Sequence, residues 1–341
     1  MATNFGIDLG SQRTVICSGK SIVLDEQTAI SYYSHSGELV AAGDDAYRMI
    51  GRTPDSVTAV CPIVNGVIAE YDLAEHMLSA FLSKVADNRL FKARVMAAVP
   101  GSITDMQKRA LCNALYSAGA KDVCTLEAPI AAALGIGIDF TTPKGTIIAD
   151  IGAETTDIAT LSMGGIAEYQ TIPSAGMAFN RAIERYIKYE HNIVIGPQTA
   201  EMIKRQIGCV KPRELELTVT AKGQHQFTGL PTVFEISTSE MITALYDTAL
   251  DICIAIQSVL EKTAPEIVGD VKQNGIYLIG GGSLLYGLAD FISEYIGVRV
   301  RSVDEPKTCV ARGTSLAIKK FKELKQNGYR FMSIDEFAFA D

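Results

Sequence analysis

Two short segments of this chain repeat one pattern, and that repeat limits the fold more than any other feature. Ile7-Asp8-Leu9-Gly10-Ser11-Gln12-Arg13-Thr14 and Ala149-Asp150-Ile151-Gly152-Ala153-Glu154-Thr155-Thr156 both read Asp-aliphatic-Gly followed by a short polar stretch containing Thr. Phe5, Ile7 and Leu9 lead into the first, and Val15-Ile16-Cys17 leave it. Thr146-Ile147-Ile148 precede the second, and Ile158-Ala159-Thr160-Leu161 follow it. Strand, glycine-containing turn and strand make a β-hairpin pattern. In such a turn small residues let backbone N–H groups approach phosphate oxygens. An Asp closing the entering strand points at the same place, where it can hold a hydrated magnesium ion, whose ligands are oxygen and water. Two such turns would grip one triphosphate from two sides.

The remaining periodicity alternates strands and helices, hence an α/β chain. A helix is expected over 72–86, with Leu73, Met77, Leu78, Phe81, Leu82 and Val85 on one face. A buried strand follows at Arg94–Val99, then a helix over 104–118 with Met106, Ala110, Leu111, Ala114, Leu115 and Ala118 inward. A long amphipathic helix is expected over 239–260, then a strand at 275–279, Gly280-Gly281-Gly282, and a helix from about Leu284. The boundary between the halves falls near residues 140–145. The glycine triplet would lie flat against a base or ribose. Its spacing to Gly287 is not that of a dinucleotide fingerprint, and no Walker-type Gly-Lys-Ser/Thr occurs.

Composition narrows the function. The net charge of −8 argues against a nucleic-acid partner, which requires a basic footprint. The seven cysteines contain no Cys-x-x-Cys pair and lie singly on apolar segments, as buried thiols in a reducing compartment do, and not as zinc ligands. No uninterrupted apolar run approaches the roughly eighteen residues of a spanning helix, and the N-terminus has no secretory leader pattern. These features place the chain in the cytoplasm. Lys319, Lys320, Lys322, Lys325 and Arg330, interleaved with Ile318, Phe321 and Leu324, read as the solvated face of a terminal helix.

The order of the three glycine-bearing elements resembles that of the actin-type ATPase superfamily. The segments Gly43-Asp44-Asp45-Ala46, Gly51-Arg52-Thr53-Pro54, Pro62-Ile63-Val64-Asn65-Gly66-Val67-Ile68-Ala69, Pro129-Ile130-Ala131-Ala132-Ala133-Leu134-Gly135 and Glu305-Pro306-Lys307-Thr308-Cys309-Val310-Ala311-Arg312-Gly313 are similar to the MreB family of bacterial actins. The resemblance runs from residue 6 to about 318. It implies an actin-like ATPase fold: two duplicated RNase H-like α/β domains around a nucleotide cleft, each with a smaller subdomain. The first would comprise 1–140 plus 310–341, with its subdomain at about 32–70. The second would comprise 141–309, with its subdomain at about 178–240.

Carried over by motif, Asp8, Gly10, Ser11, Gln12, Arg13 and Thr14 would serve the first phosphate loop. Asp150, Gly152, Ala153, Glu154, Thr155 and Thr156 would serve the second, with Gly176 beside it. Asp8 and Asp150 would hold Mg2+ through water and, with Thr155, act in catalysis. Gly280, Gly281 and Gly282 would face the adenosine of ATP or ADP, and Glu201 and Lys204 would reach adenine and ribose. Leu90 and Phe91, flanked by Arg89 and Lys92, match a short membrane-dipping loop. The resemblance implies a nucleotide-dependent filament at the inner face of the cell membrane, with other copies, related filament proteins and cell-wall synthesis membrane proteins as partners.

Several positions depart from the family pattern. Ala153 and Glu154 stand where two glycines belong, and a carboxylate in a phosphate cradle repels its ligand by several kcal/mol per charge pair at about 4 Å and an effective dielectric near 20. Ala128 replaces the Glu thought to orient the attacking water, with Glu127 one position early. Ala175-Gly176-Met177 lacks the acidic residue of the family's Gly-Gly-Asp. Arg13 is a cation available to Glu154 or to phosphate. Two readings follow: binding with slow or absent hydrolysis, or compensation by neighbours and a working ATPase. Competing functions are a small-molecule kinase, for which no carboxylate base is evident, a chaperone-type ATPase, for which no peptide-binding domain is expected, and a hydrolysis-deficient scaffold that copolymerises with an active relative.

Overall fold

The first hairpin forms where its pattern requires. β1 (Asn4–Leu9) and β2 (Arg13–Ser18) pair antiparallel, with Leu9 opposite Thr14 and Asp8 opposite Val15, and β3 (Ser21–Gln27) continues the meander. The computed structural model describes residues 4–86, 93–326, 329 and 331–333. The chain divides into one unit of 1–144, 161–169 and 307–341, and a second of 145–160 and 170–306.

In the first unit, β4 (Ile30–Tyr33), β5 (Leu39–Ala42), α1 (Asp44–Met49) and β6 (Val57–Val60) build a small sheet of order β5-β4-β6. β7 (Ile63–Val64) and β8 (Val67–Ile68) form a hairpin whose turn residues Asn65 (φ 51°) and Gly66 (φ 74°) both take positive φ, the requirement of a type I′ turn. α2 (Tyr71–Val85) buries Ala74, Met77, Leu78, Phe81 and Leu82, close to the face read from the sequence. β9 (Arg94–Val99) lies parallel between β1 and β10 (Asp122–Glu127). A strand covered on both faces needs an unbroken apolar run, which Val95–Val99 supplies. α3 (Asp105–Ser117) starts at a Thr104/Gln107 capping box and buries Leu111, Cys112, Ala114 and Leu115. Met106, expected inward, is 80% exposed; it lies in the first turn, about 140° around the axis from Leu111. α4 (Ala128–Ile136) follows β10 directly.

The second unit repeats the plan. β11 (Thr146–Ile151), β12 (Thr156–Ser162) and β13 (Gly165–Ile172) form a second meander, of which residues 161–169 belong to the first unit. Then come α5 (Gly176–Glu190), β14 (Ile193–Val194), α6 (Pro197–Ile207), β15 (Thr218–His225), β16 (Pro231–Ser237), α7 (Thr238–Lys262), α8 (Pro265–Asn274), β17 (Ile276–Ile279), α9 (Leu288–Ile296) and β18 (Val300–Ser302). β14, β15 and β16 make its small sheet. The large sheet has the order β13-β12-β11-β17-β18, with β11, β17 and β18 parallel. In the first unit the order is β10-β9-β1-β2-β3, extended at β10 by β19 (Met332–Ser333). Each large sheet is therefore a three-strand meander with two parallel strands added beside its first strand.

The helix expected from about Leu284 is displaced: Gly281–Leu284 is a 3₁₀ turn and α9 begins at Leu288. The displacement follows from Gly287, whose φ of 78° interrupts helical backbone. α7 is long and apolar enough to cross a membrane, with mean hydropathy 1.3 over eighteen residues. The uninterrupted-run criterion misses it because Asp247 and Asp251 divide the helix. Met241, Leu245, Ile252, Ile256 and Val259 pack in the second unit's core, so the apolar content is explained by core packing.

The chain returns to the first unit through α10 (Cys309–Lys319) and α11 (Phe321–Gln326). Two of the family-like motifs meet here. A Cβ at Gly313 would overlap the Ala131 carbonyl, and one at Gly135 would overlap that of Cys309, so α4 and α10 cross at backbone contact. Phe321 and Leu324 are buried, while Arg330 lies outside the described residues. Cys61 is half-buried and the other six cysteines are buried; burial pushes the Cys17 and Cys112 thiols up to about 11 and that of Cys253 to about 12.

Candidate functional site

Each repeated turn is closed by the same kind of hydrogen bond, made within the turn itself. Gly10 N donates to Arg13 O at 3.0 Å, and Gly152 N donates to Thr155 O at 2.9 Å. Each turn is therefore closed across four residues at the end of a buried strand, with Asp8 or Asp150 two residues before its glycine.

In the first unit the turn is braced on both sides. Thr28 Oγ1 donates to Gly10 O at 2.7 Å and lies 2.9 Å from Thr14 Oγ1, while Thr28 N donates to Gln12 O at 2.9 Å. Gly66 N, from the β7–β8 turn, donates to Ser11 Oγ at 3.0 Å. The Pro62–Ala69 motif thus supports the loop, a role its sequence alone does not disclose. Arg13 is directed elsewhere. Its Nε donates to Asp25 Oδ1 at 2.6 Å and a terminal nitrogen to Asp25 O at 2.8 Å. β2–β3 pairing puts Asp25 opposite Val15, within reach of the guanidinium, so Asp25 holds two of its donors.

Asp8 is half-buried. Desolvation by the protein around its carboxyl pushes the pKa from 3.8 up to about 7. Among the described residues no group of three His, Cys, Asp or Glu side chains could enclose a metal. Any cation here would take most of its ligands from phosphate and water, which suits magnesium and not zinc. A desolvated carboxylate fits such an ion, whose charge would offset the desolvation.

In the second unit the candidate residues form one connected set. Gly176 N and Met177 N, opening α5, donate to Gly152 O (3.1 Å) and Ala153 O (2.7 Å). Thr155 Oγ1 donates to Asp157 Oδ2 at 3.0 Å, and Thr171 Oγ1 to Asp157 Oδ1 at 2.6 Å. Thr156 Oγ1 donates to Ser174 O at 2.6 Å, and Ser174 Oγ to Asp251 Oδ2 on α7 at 2.9 Å. Asp157, Ser174 and Asp251 were not singled out from the sequence; hairpin pairing and a distant helix bring them to the loop.

Gly280 (φ 78°) closes the same set. A Cβ there would overlap Asp150 Oδ1 and the Ile151 carbonyl, and one at Gly282 would overlap Ile151 Cγ2. Close packing on the end of β11 thus requires two of the three glycines, whatever they face; Gly281 is exposed.

Glu201 and Lys204 sit one turn apart on α6 and are partly buried, not on a solvated face. Lys204 Nζ donates to Glu201 Oε2 at 2.7 Å and to Gly176 O at 2.8 Å, tying α6 to the start of α5. Asn180 Nδ2 donates to the same Glu201 oxygen at 2.9 Å. Burial pushes the Glu201 carboxyl up, but the Lys204 charge and the bonds from Lys204 and Asn180 together hold it below its ordinary value. Burial lowers Lys204, against the opposing pull of Glu201.

Two of the departures are now in context. Glu127 is the N-cap of α4, and its Oε1 is 3.4 Å from Lys108 Nζ, so its carboxylate is engaged on α3. Ala128, the first residue of α4, presents only a methyl group. Leu90 and Phe91 lie outside the described residues.

The MreB/Mbl protein family model matches residues 2–326. The chain is 37% identical over 325 residues to the cell shape-determining protein Mbl of Bacillus subtilis (strain 168), covering 95% of this chain and 98% of Mbl. It is 33% identical over 325 residues to the cell shape-determining protein MreB of Escherichia coli (strain K12), covering 93% and 94%. The crystal structure of MreB 5 of Spiroplasma citri bound to AMPPNP superposes with a TM-score of 0.90 at 32% identity, covering 96% of this chain and 99% of that one. The duplicated sheets, the paired glycine turns and these full-length matches agree: the chain belongs to the MreB/Mbl family of actin-like, cell shape-determining proteins.

Proposed function

We propose that the protein binds ATP or ADP with Mg2+ and polymerises into filaments at the inner face of the cell membrane, where they organise cell shape and wall synthesis. The carrying observation is the repeated closed turn, Gly10 N to Arg13 O and Gly152 N to Thr155 O, each following a strand-end Asp. The complexes of S. citri MreB5 with AMPPNP and ADP support a nucleotide as the ligand. Asp8 and Asp150 would hold hydrated Mg2+, which supplies charge neutralisation for the polyphosphate. Ser11, Gln12, Thr14, Gly152, Thr155 and Thr156 would offer backbone and hydroxyl donors. Gly280–Gly282, Glu201 and Lys204 would hold the nucleoside. In this role the protein is cytoplasmic and peripheral, with Leu90 and Phe91 as its membrane contact. Two side chains bury little area, at roughly 25 cal/mol per Å², so attachment would depend on many copies in a filament.

A second reading has its own support: Ala128 offers no carboxylate at the position where the family has its water-orienting Glu, Glu127 is engaged by Lys108, and Glu154 adds charge to the second loop. The protein would then be a scaffold with weak hydrolysis that copolymerises with an active relative. Electron microscopy of purified protein on anionic vesicles, with ATP, with AMPPNP and without nucleotide, tests both. Filaments that require nucleotide support the first proposal, and their absence under every condition refutes autonomous assembly. Phosphate release during assembly at rates typical of active ATPases refutes the scaffold reading.

A further inference from the structure

Asn65 and Gly66 form the turn of the β7–β8 hairpin, and an Asn-Gly pair carries chemistry of its own. Its backbone nitrogen is well placed to attack the preceding side-chain amide, because glycine has no Cβ to shield that nitrogen or restrict the local backbone. Three such pairs occur, Asn65-Gly66, Asn274-Gly275 and Asn327-Gly328, the last outside the described residues. The two described pairs are held very differently. Asn274 closes the ten-residue helix α8. Its Nδ2 donates to Gly145 O at 2.7 Å, its carbonyl accepts from Arg301 Nε at 2.8 Å, and Gly275 N donates to Val271 O at 2.7 Å. Both reacting groups of that pair are therefore engaged. Asn65 is exposed on a hairpin with two residues in each strand, and a ladder that short opens at low cost. Gly66 N donates to Ser11 Oγ at 3.0 Å, so the attacking nitrogen is held by a side chain of the first glycine turn.

We propose that Asn65 is a site of spontaneous deamidation in the folded protein, gated by the Ser11–Gly66 hydrogen bond. When that bond opens, the Gly66 nitrogen loses its proton to solvent hydroxide and attacks Asn65 Cγ. The N–Cγ bond forms, the Cγ–Nδ2 bond breaks, and the side-chain nitrogen leaves as ammonia. Water then adds to either carbonyl of the succinimide ring, giving aspartate or isoaspartate and one new negative charge. Water is the only co-reactant, and nothing is oxidised or reduced. The succinimide has no Gly66 N–H, and isoaspartate adds a methylene to the backbone of the turn. The first withdraws the donor that braces Ser11 and the second displaces it, so the modification loosens the first turn with time. This chemistry does not depend on what the turn binds.

The test incubates the full chain at pH 8 below its melting temperature, with a parallel sample in urea, and follows both described sites by peptide mass spectrometry. In urea the two pairs should form aspartate and isoaspartate at similar rates. In the folded chain Asn65 should react well ahead of Asn274, whereas reaction through global unfolding would modify both alike. Ser11→Ala should speed Asn65 by roughly two- to tenfold, the factor expected for one hydrogen bond, and leave Asn274 unchanged. Equal rates at the two sites in the folded chain, no product at Asn65, or the same Asn65 rate in folded Ser11→Ala overturns the proposal. The comparison within the wild type decides the matter even if Ser11→Ala does not fold. Hydrogen exchange over residues 10–14 should quicken in the aged chain, and unchanged protection there overturns the loss of the brace.

Discussion

Asp8→Asn separates the energetic cost of the site from its use. Desolvation raises the Asp8 carboxyl from 3.8 to about 7. At 1.36 kcal/mol per pKa unit, ionised Asp8 costs the nucleotide-free fold at most about 4 kcal/mol. Below about pH 4 the carboxyl is protonated in both folded and unfolded chains, and no penalty exists. Between pH 4 and 7 the unfolded chain releases its proton while the folded chain retains it. Stability therefore falls as pH rises, and the full penalty is present above about pH 7. Asparagine has nearly the same shape and no charge. In urea denaturation with EDTA and no nucleotide, the variant should be more stable than wild type at pH 8 by about 1–4 kcal/mol, with the gain shrinking to near zero by about pH 4. With Mg2+ and ATP the order should reverse, because the wild type gains binding energy that the variant has lost. A variant less stable than wild type at pH 8 without ligand, or a gain independent of pH, would refute the desolvation argument.

Three further outcomes are expected. Ala128→Glu combined with Ala153→Gly and Glu154→Gly should raise phosphate release about tenfold or more by restoring a water-positioning carboxylate and removing a charge from the loop; an unchanged single-turnover rate would show that these positions do not limit hydrolysis. Gly280→Ala forces a Cβ onto Asp150 and the Ile151 carbonyl at a φ of 78°, so it should cost about 1–3 kcal/mol in denaturation and weaken nucleotide binding more than a remote change of equal cost. Leu90→Ser with Phe91→Ser should abolish co-sedimentation with anionic vesicles while leaving nucleotide affinity unchanged; retained sedimentation would place the lipid contact elsewhere.

The features legible in the chain share one property: their physical cause is local. A hairpin needs only its strands and its turn, so β1–β2 and β11–β12 were readable, as was the buried strand Arg94–Val99. The amphipathic helices α2, α3 and α7 were readable from their periodicity. The 3₁₀ turn at Gly281–Leu284 was not: the chain extends at Leu285, and α9 starts only after the left-handed Gly287, a conformation that glycine permits but does not require. Met106 was misplaced because periodicity identifies a helical face but not where along the helix the neighbouring core stops. Glu201 and Lys204 could be identified as an i,i+3 pair, yet whether they faced water or protein depended on α5 and Asn180, twenty-one residues before Glu201.

By itself, then, the sequence determined that this is a duplicated α/β protein with two Asp-Gly turns, because those elements follow from short-range backbone chemistry. Tertiary structure alone decided what the side chains do. Arg13 is taken by Asp25, Glu127 by Lys108, and one oxygen of Glu201 by both Lys204 and Asn180. Gly135 and Gly313, far apart in the chain, are needed because α4 and α10 cross at backbone contact. A partner brought close by sheet order and helix packing leaves no periodic trace in the segment that meets it. For that reason the identity of the fold was accessible from the chain, and the allocation of its charges was not.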